Sequence, residues 1–427
     1  MLGLLLSISR ALEWGWGTRW PALVQVHGQL QLVGFAGLFV MGMALRLMPR
    51  FSGRRLAAAR GVPALLPLVT TSLVLRSLAQ PAGDSIPRDV AILASGVLLV
   101  GASLLFAATV CGTVLAPESS AEATAWFFAL GSVAYVAGAA LNLVQLIELV
   151  RSGAPTAPLS RQAAQLVVQH FGFIMLFAAG VVTRAVPALT GRPRPDLAAR
   201  CAAVLLAAGV AVFASAALYA SYVSSSEALV RLQTGGLLAC SAAFAAIAWL
   251  SGALYPRANR VAAASRLPFI LVRFAVAWLL ASALLGAWYA ARAFRLATSV
   301  DFFEIDALRH LLTLGVLTML VLGMGMLVLP EFAGRRLQHP RERWPVVCML
   351  GAMNASVVLR VWPSVRGADW IASTRYWPMA ASGALAELAV AIFALMFLQS
   401  VVEQRTPGWS AAARLPASLV IRRTRAP

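Results

Sequence analysis

The 427 residues are 60% hydrophobic and only 12% charged, a balance that excludes a soluble domain whose surface must stay wet. The formal charge of +19 comes from arginines in short segments between apolar runs. Topology accounts for that charge and argues against a nucleic-acid patch as its cause.

The opening segment, Met1 to Trp20, starts MLGLLLSISR. It is brief for a span and has no basic residues ahead of its apolar start, so it does not read as a cleaved signal peptide. Eleven apolar runs long enough to cross a bilayer follow, near residues 22–47, 62–79, 88–115, 122–150, 160–186, 197–220, 227–253, 266–292, 304–329, 343–361 and 376–401. Arg50, Arg54, Arg55 and Arg60 follow the first run; Arg192, Arg194 and Arg200 the fifth; Arg257, Arg260 and Arg266 the seventh; Arg335, Arg336, Arg341 and Arg343 the ninth. The tail adds Arg405, Arg414, Arg422, Arg423 and Arg425. All fall on one side of an alternating topology, which the positive-inside rule makes cytoplasmic, C-terminus included. The opposite loops mix in acids, as in Asp84 with Arg88, or Asp301, Glu304 and Asp306 near Arg292 and Arg295. Trp14, Trp16, Trp20, Trp362, Trp370 and Trp377 lie at that opposite edge and fit an interfacial belt.

A phrase recurs at intervals of about 140 residues, each time ending a long apolar run. It reads Gly42, Arg46, Pro49, Gly53, Arg54, then Gly180, Arg184, Pro187, Gly191, Arg192, then Gly323, Pro330, Gly334, Arg335, with Leu327 in place of the arginine. A glycine stands eight residues ahead of each copy: Gly34, Gly172 and Gly315. Arg46 and Arg184 are expected to anchor to headgroups while the Gly and Pro punctuation stops the helix. The fold class expected is all-α, a polytopic transmembrane bundle of about 11–12 helices in three four-helix pseudo-repeats. Each repeat is a leading helix, the phrase-bearing helix and two followers. Residues 1–121 form the first repeat, with its leader truncated or degenerate, 122–265 the second, 266–404 the third, and 405–427 a basic cytoplasmic tail. A full unit predicts twelve helices.

Upstream of each phrase sits a histidine: His27, His170 and His310. Each has polar company on its own helix face. Gln31 follows His27 at i+4, Gln162, Gln165 and Gln169 precede His170, and Asp306 and Thr313 flank His310. Such groups are costly against lipid and turn inward. Imidazole is a common ligand for haem iron and copper, and histidines from separate helices ligate from different directions. A hydrogen bond between helices is the competing role for each. His339, beside Pro340, reads as a solvated loop residue. Asp306 is placed either to fix the tautomer of His310 or to pair with Arg309. Arg76 and Arg360 end the matching strings Ser72-Leu-Val-Leu-Arg76 and Ser356-Val-Val-Leu-Arg360, and suit either a haem propionate or snorkelling to the interface. Cys111, Cys201, Cys240 and Cys348 lack paired spacing, which argues against a zinc knuckle or disulfide framework and for buried small apolar residues.

These phrases resemble those of the NnrS family, bacterial inner-membrane proteins of the nitric oxide response reported to contain haem and copper. Its first unit, W-H-x-H-E-x-x-x-G, is matched by Val26-His27-Gly28-Gln29-Leu30 leading to Gly34, with Gln29 for the second histidine and Leu30 for the acid. Ala307-Leu308-Arg309-His310-Leu311-Leu312-Thr313-Leu314-Gly315 is similar to the family's A-x-H-x-L-T-x-G block, and Gly180 to Arg192 to its G-R-x-x-P-x-x-T block. The resemblance implies a haem protein, with copper as a second candidate, that helps the cell withstand nitrosative stress. It also implies His27, His170 and His310 as ligands, with Gln29, Gln31, Gln169, Asp306, Arg76 and Arg360 around them and nitric oxide as small ligand. Two other readings stand beside it: a secondary transporter or permease whose polar mid-membrane residues line a substrate path, and an assembly partner of a respiratory complex.

Overall fold

The computed structural model describes residues 1–14, 17, 19–117, 119–120, 122–223, 226–255, 261, 266–332, 343–366 and 376–402. Gly334, Arg335, His339, Trp16, Trp370 and the basic tail lie outside the described residues. The chain is helical, with no strand among the described residues. Eleven helices are long and apolar enough to cross a membrane: α2 Arg19–Ser52, α3 Ala59–Ala79, α4 Ile86–Val114, α5 Ala123–Ser152, α6 Leu159–Thr190, α7 Asp196–Tyr222, α8 Glu227–Ser251, α9 Arg266–Leu296, α10 Phe303–Val328, α11 Arg343–Val365 and α12 Tyr376–Gln399. Each corresponds to one run read from the sequence. Leu2–Ala11 adds a short helix, α1.

The phrase-bearing rods α6 and α10 stand at the centre, and α2 meets both of them along one side. Of the most apolar stretch of each rod, 94% is buried in α6 and 89% in α10, but 44% in α2. The difference follows from the leaders. α5, of 30 residues, packs along α6, and α9, of 31 residues, packs along α10. α1 has ten residues and packs against α12 and α2, with Leu4 against Gly383 and the Arg10 guanidinium 4.9 Å from the Trp20 ring. At about 1.5 Å per residue it flanks only part of α2.

The three central rods share an irregularity that hydropathy does not show. Each passes through a π-helical stretch: Leu30–Gly37 in α2, Val168–Ile174 in α6 and Leu311–Thr318 in α10. Such stretches carry one residue more per turn, are rare, and occur often at functional sites. The Thr318 hydroxyl donates to the Thr313 carbonyl at 2.8 Å, a five-residue reach that fits the wider turn. Gly34, Gly172 and Gly315 lie inside these stretches. A Cβ on Gly172 would stand 2.8 Å from Ala134 of α5, and one on Gly315 2.8 Å from Trp278 of α9, so glycine there lets leader and central rod touch. Gly34 faces Leu73 of α3 at a looser 3.3 Å.

At the arginine-rich end the prolines do not stop the rods. Pro49 and Pro187 lie inside helices, and the helices end at Ser52 and Thr190, where Gly53 and Gly191 take left-handed φ of 69° and 67°. Arg184 donates from Nη2 to the Phe51 carbonyl at 3.0 Å, with its guanidinium 4.6 Å from the Phe51 ring. It thus ties the second unit to the first rather than serving only as a headgroup anchor. Cys240 is buried, whereas Cys201 and Cys348 are exposed on the helix surface, so the expectation of four buried cysteines fails for those two.

Candidate functional site

α10 begins with Asp301 and Glu304 in a capping box: the Asp301 side chain accepts from the backbone and the Asp301 N–H donates to Glu304 at 2.9 Å. The next turn delivers Asp306, Arg309 and His310 onto one face by their i+3 and i+4 spacing. Asp306 performs both roles read for it, and more. His310 Nδ1 lies 2.8 Å from the Asp306 carbonyl oxygen and 3.2 Å from its Oδ1. Arg309 donates to Oδ1 at 2.9 Å, while Arg360 of α11, at 3.0 Å, and the Ser364 hydroxyl, at 3.1 Å, donate to Oδ2. Both neighbours of Nδ1 are acceptors, so the proton belongs there, and Nε2 presents its lone pair away from Asp306. No hydrogen-bond partner of Nε2 is found among the described residues.

His27 approaches from another direction. A Cβ on Gly3 of α1 would meet its ring at 2.6 Å, and His310, Arg360 and Asp306 are its electrostatic neighbours. Neither ring nitrogen has a hydrogen-bond partner among the described residues. His170 is fully buried, its Nε2 3.3 Å from the Thr313 hydroxyl and its Nδ1 without a partner. Its charged neighbours are Arg309 and His310. His310 is thus an electrostatic neighbour that His27 and His170 share. The three histidines are related without being equivalent. Counting back from Gly34, Gly172 and Gly315, they stand seven, two and five residues upstream. Thr313, two residues before Gly315, is the counterpart of His170, and the pair meets across the bundle axis.

Towards the arginine-rich end the same axis holds a cavity of about 60 Å³ lined by apolar side chains, among them Phe39, Met43, Phe177, Val181, Leu320 and Met324. These are matched positions of the three central rods, so the cavity carries the pseudo-threefold plan. No histidine lines it.

The remaining predicted residues assemble elsewhere. Arg76 of α3 donates from Nε to Gln80 Oε1 at 2.6 Å and from Nη1 to Asn142 Oδ1 at 2.8 Å. Gln80 donates to Gln25 Oε1 at 2.8 Å, and Gln25 donates to the Ala157 carbonyl at 2.8 Å and to Gln162 at 3.1 Å. Gln165 donates to Gln169 at 3.1 Å and reaches Asn142 at 3.5 Å. The glutamine stripe of α6 thus serves Arg76 and α2 more than His170. Arg76 is not among the charged neighbours of any of the three histidines, whereas Arg360 is a neighbour of His27 and His310. Gln29 and Gln169 are buried, each with an unpartnered Nε2, and Gln31 is half-buried. Gln80, Asn142 and Ser364 were not singled out from the sequence. Gln80 and Ser364 each stand four residues after the arginine of a matched string, a signal present but unused. Asn142 has no local signal.

The sequence matches no family model and no curated protein. Among the described residues no three His, Cys, Asp or Glu side chains gather at metal-binding distances. As donors the residues still suit a haem or a copper ion: an imidazole braced by a carboxylate, a second imidazole on a separate rod without a partner, and a third with an orphaned buried nitrogen.

Proposed function

We propose that this chain is a haem-binding integral protein of the bacterial inner membrane that serves the response to nitric oxide, with copper as the second candidate metal. The reading rests on the resemblance of the three phrases and on one observation above all: His310 has its Nδ1 held by Asp306, which leaves Nε2 available as a ligand, and an unpartnered His27 is its electrostatic neighbour. His27 and His310 would hold the iron, and His170, deeper on the axis, would stand beside it. A ferrous haem supplies an iron that binds nitric oxide, a small apolar molecule soluble in the bilayer. The chain's own part is to fix the His310 tautomer through Asp306, to neutralise Asp306 with Arg309 and Arg360, and to exclude water with the packed rods. The arginine-rich end faces the cytoplasm in this reading, which puts the histidines in the outer half of the membrane.

Visible absorption of the detergent-purified protein, expressed with haem supplied, tests it. A Soret band is expected, weakened at least severalfold by His27→Ala and by His310→Ala, and altered in position or intensity by Asp306→Asn. Absence of any Soret band, or a band indifferent to substitution of all three histidines, refutes the assignment and leaves the transporter reading in front.

A further inference from the structure

Arg76 and Arg360 end matching strings and occupy matching places, and the resemblance extends to their partners. Ser72 and Ser356, four residues earlier, each donate across to a backbone carbonyl of the next helix, Ser95 at 2.7 Å and Ser382 at 2.8 Å. Four residues later stand Gln80 and Ser364. Across from the arginine, on the central rod, Asp306 lies nine residues before Gly315 and Gln25 nine residues before Gly34. The group Arg360, Ser364 and Asp306 is therefore rebuilt as Arg76, Gln80 and Gln25, with a neutral amide where the carboxylate stood.

The cation remains. Arg76 is only 7% exposed, and all its hydrogen-bond partners are amide oxygens. The other buried or half-buried arginines at this end each touch a carboxylate: Arg88 with Asp84, Arg161 with Glu148, Arg292 with Glu304, Arg309 and Arg360 with Asp306. Arg76 touches none among the described residues, and its Nη2 donates to none of them. A guanidinium withdrawn from water without a counter-charge is costly, and its fork is shaped for two oxygens of one anion. The surroundings are also short of acceptors. The amide chain from Arg76 through Asn142 and Gln165 ends at Gln169, whose buried Nε2 has no acceptor, and Gln29, one turn after Gln25, has the same deficit. The cluster lies near the end of the bundle opposite the arginine-rich loops. Arg76 is three residues from the end of α3, beneath the loop Gly153–Pro158, which Gln25, Gln80 and Arg88 hold through the Ala157, Pro155 and Ala154 carbonyls.

We infer that the Arg76 cluster is a binding site for a small oxyanion or carboxylate, which enters from that end and supplies the counter-charge that Asp306 gives Arg360. The site lies apart from the histidines and stands whether or not a haem binds there.

Thermal unfolding of the whole protein in neutral detergent, titrated with sodium acetate and with sodium nitrate at constant ionic strength set by sodium chloride, tests the inference. At an anion concentration about 100 times the dissociation constant, a saturable rise of a few degrees is expected with acetate or nitrate. Gln25→Asp, which restores the carboxylate of the third unit, is expected to raise the midpoint without added anion and to abolish the response, as is Arg76→Gln. A protein that arrives with the site already filled by an anionic lipid or a cofactor carboxylate would show no titration, but native mass spectrometry would find a bound anion that Gln25→Asp releases. No titration together with no such anion overturns the inference. So does a response that persists undiminished in Gln25→Asp, which keeps the test open if Arg76→Gln fails to fold.

Discussion

Two clusters built on one plan separate the first unit from the third. Around Arg360 the cation meets a carboxylate, Asp306, which it shares with Arg309 and His310. Around Arg76 the same scaffold carries Gln25, and the guanidinium is dispersed into amide oxygens. One side chain thus decides whether a buried arginine braces an imidazole or stands without a counter-ion. The geometry is set by the helix pair, and the chemistry is set by a single residue on the central rod.

The comparison breaks hardest at Asp306. Asp306→Asn turns the third cluster into a copy of the first but leaves two guanidinium groups facing a neutral amide. A loss of about 3–5 kcal/mol is expected, as for a buried pair stripped of one partner, read from chemical denaturation of the purified protein. An effect under about 1 kcal/mol would mean that the carboxylate is not the centre of the cluster. Next comes the contact between leader and central rod. Gly172→Ala drives a methyl against Ala134 at 2.8 Å, and an overpacking cost of about 1–3 kcal/mol is expected. A smaller effect, about 1 kcal/mol, is expected from Thr313→Val, which leaves the His170 Nε2 buried without its hydroxyl partner. Smallest is Gly34→Ala: Leu73 stands at 3.3 Å and is flexible, and the gain in helix propensity of up to about 1 kcal/mol offsets the crowding. Should Gly34→Ala destabilise as much as Gly172→Ala, the first unit would not be the looser one.

How much of this was legible in the sequence depends on whether the governing interaction is local. Spans were legible because a bilayer imposes one simple demand on length and composition, and every apolar run became a rod. The pairing of Asp306 with His310 and Arg309 was legible because positions three and four apart must meet on a helix. Its bond to Arg360 was not, since that depends on how α11 packs against α10. The π-helical stretches left only a faint trace, the triplicated glycine eight residues before each phrase, because a wider turn changes backbone bonding without changing the apolar character of the segment. That glycine also corrects the sequence reading of the histidines, which looked alike by order along the chain and differ by up to five residues in register. Among the cysteines, an apolar span implies burial only on its inward face, and Cys201 and Cys348 sit on the exposed face of their helices.

A π-helical stretch is in effect an α-helix holding one surplus residue, and each residue turns the rod by about 100°. Whatever lies ahead of Leu30–Gly37 or Leu311–Thr318, His27 and His310 included, is therefore rotated by that amount relative to the apolar face that follows. Each central rod is two phases spliced at a common depth. Excising a single residue from either splice would straighten the rod, leave its lower half seated in the bundle, and swing its imidazole round to a different neighbour.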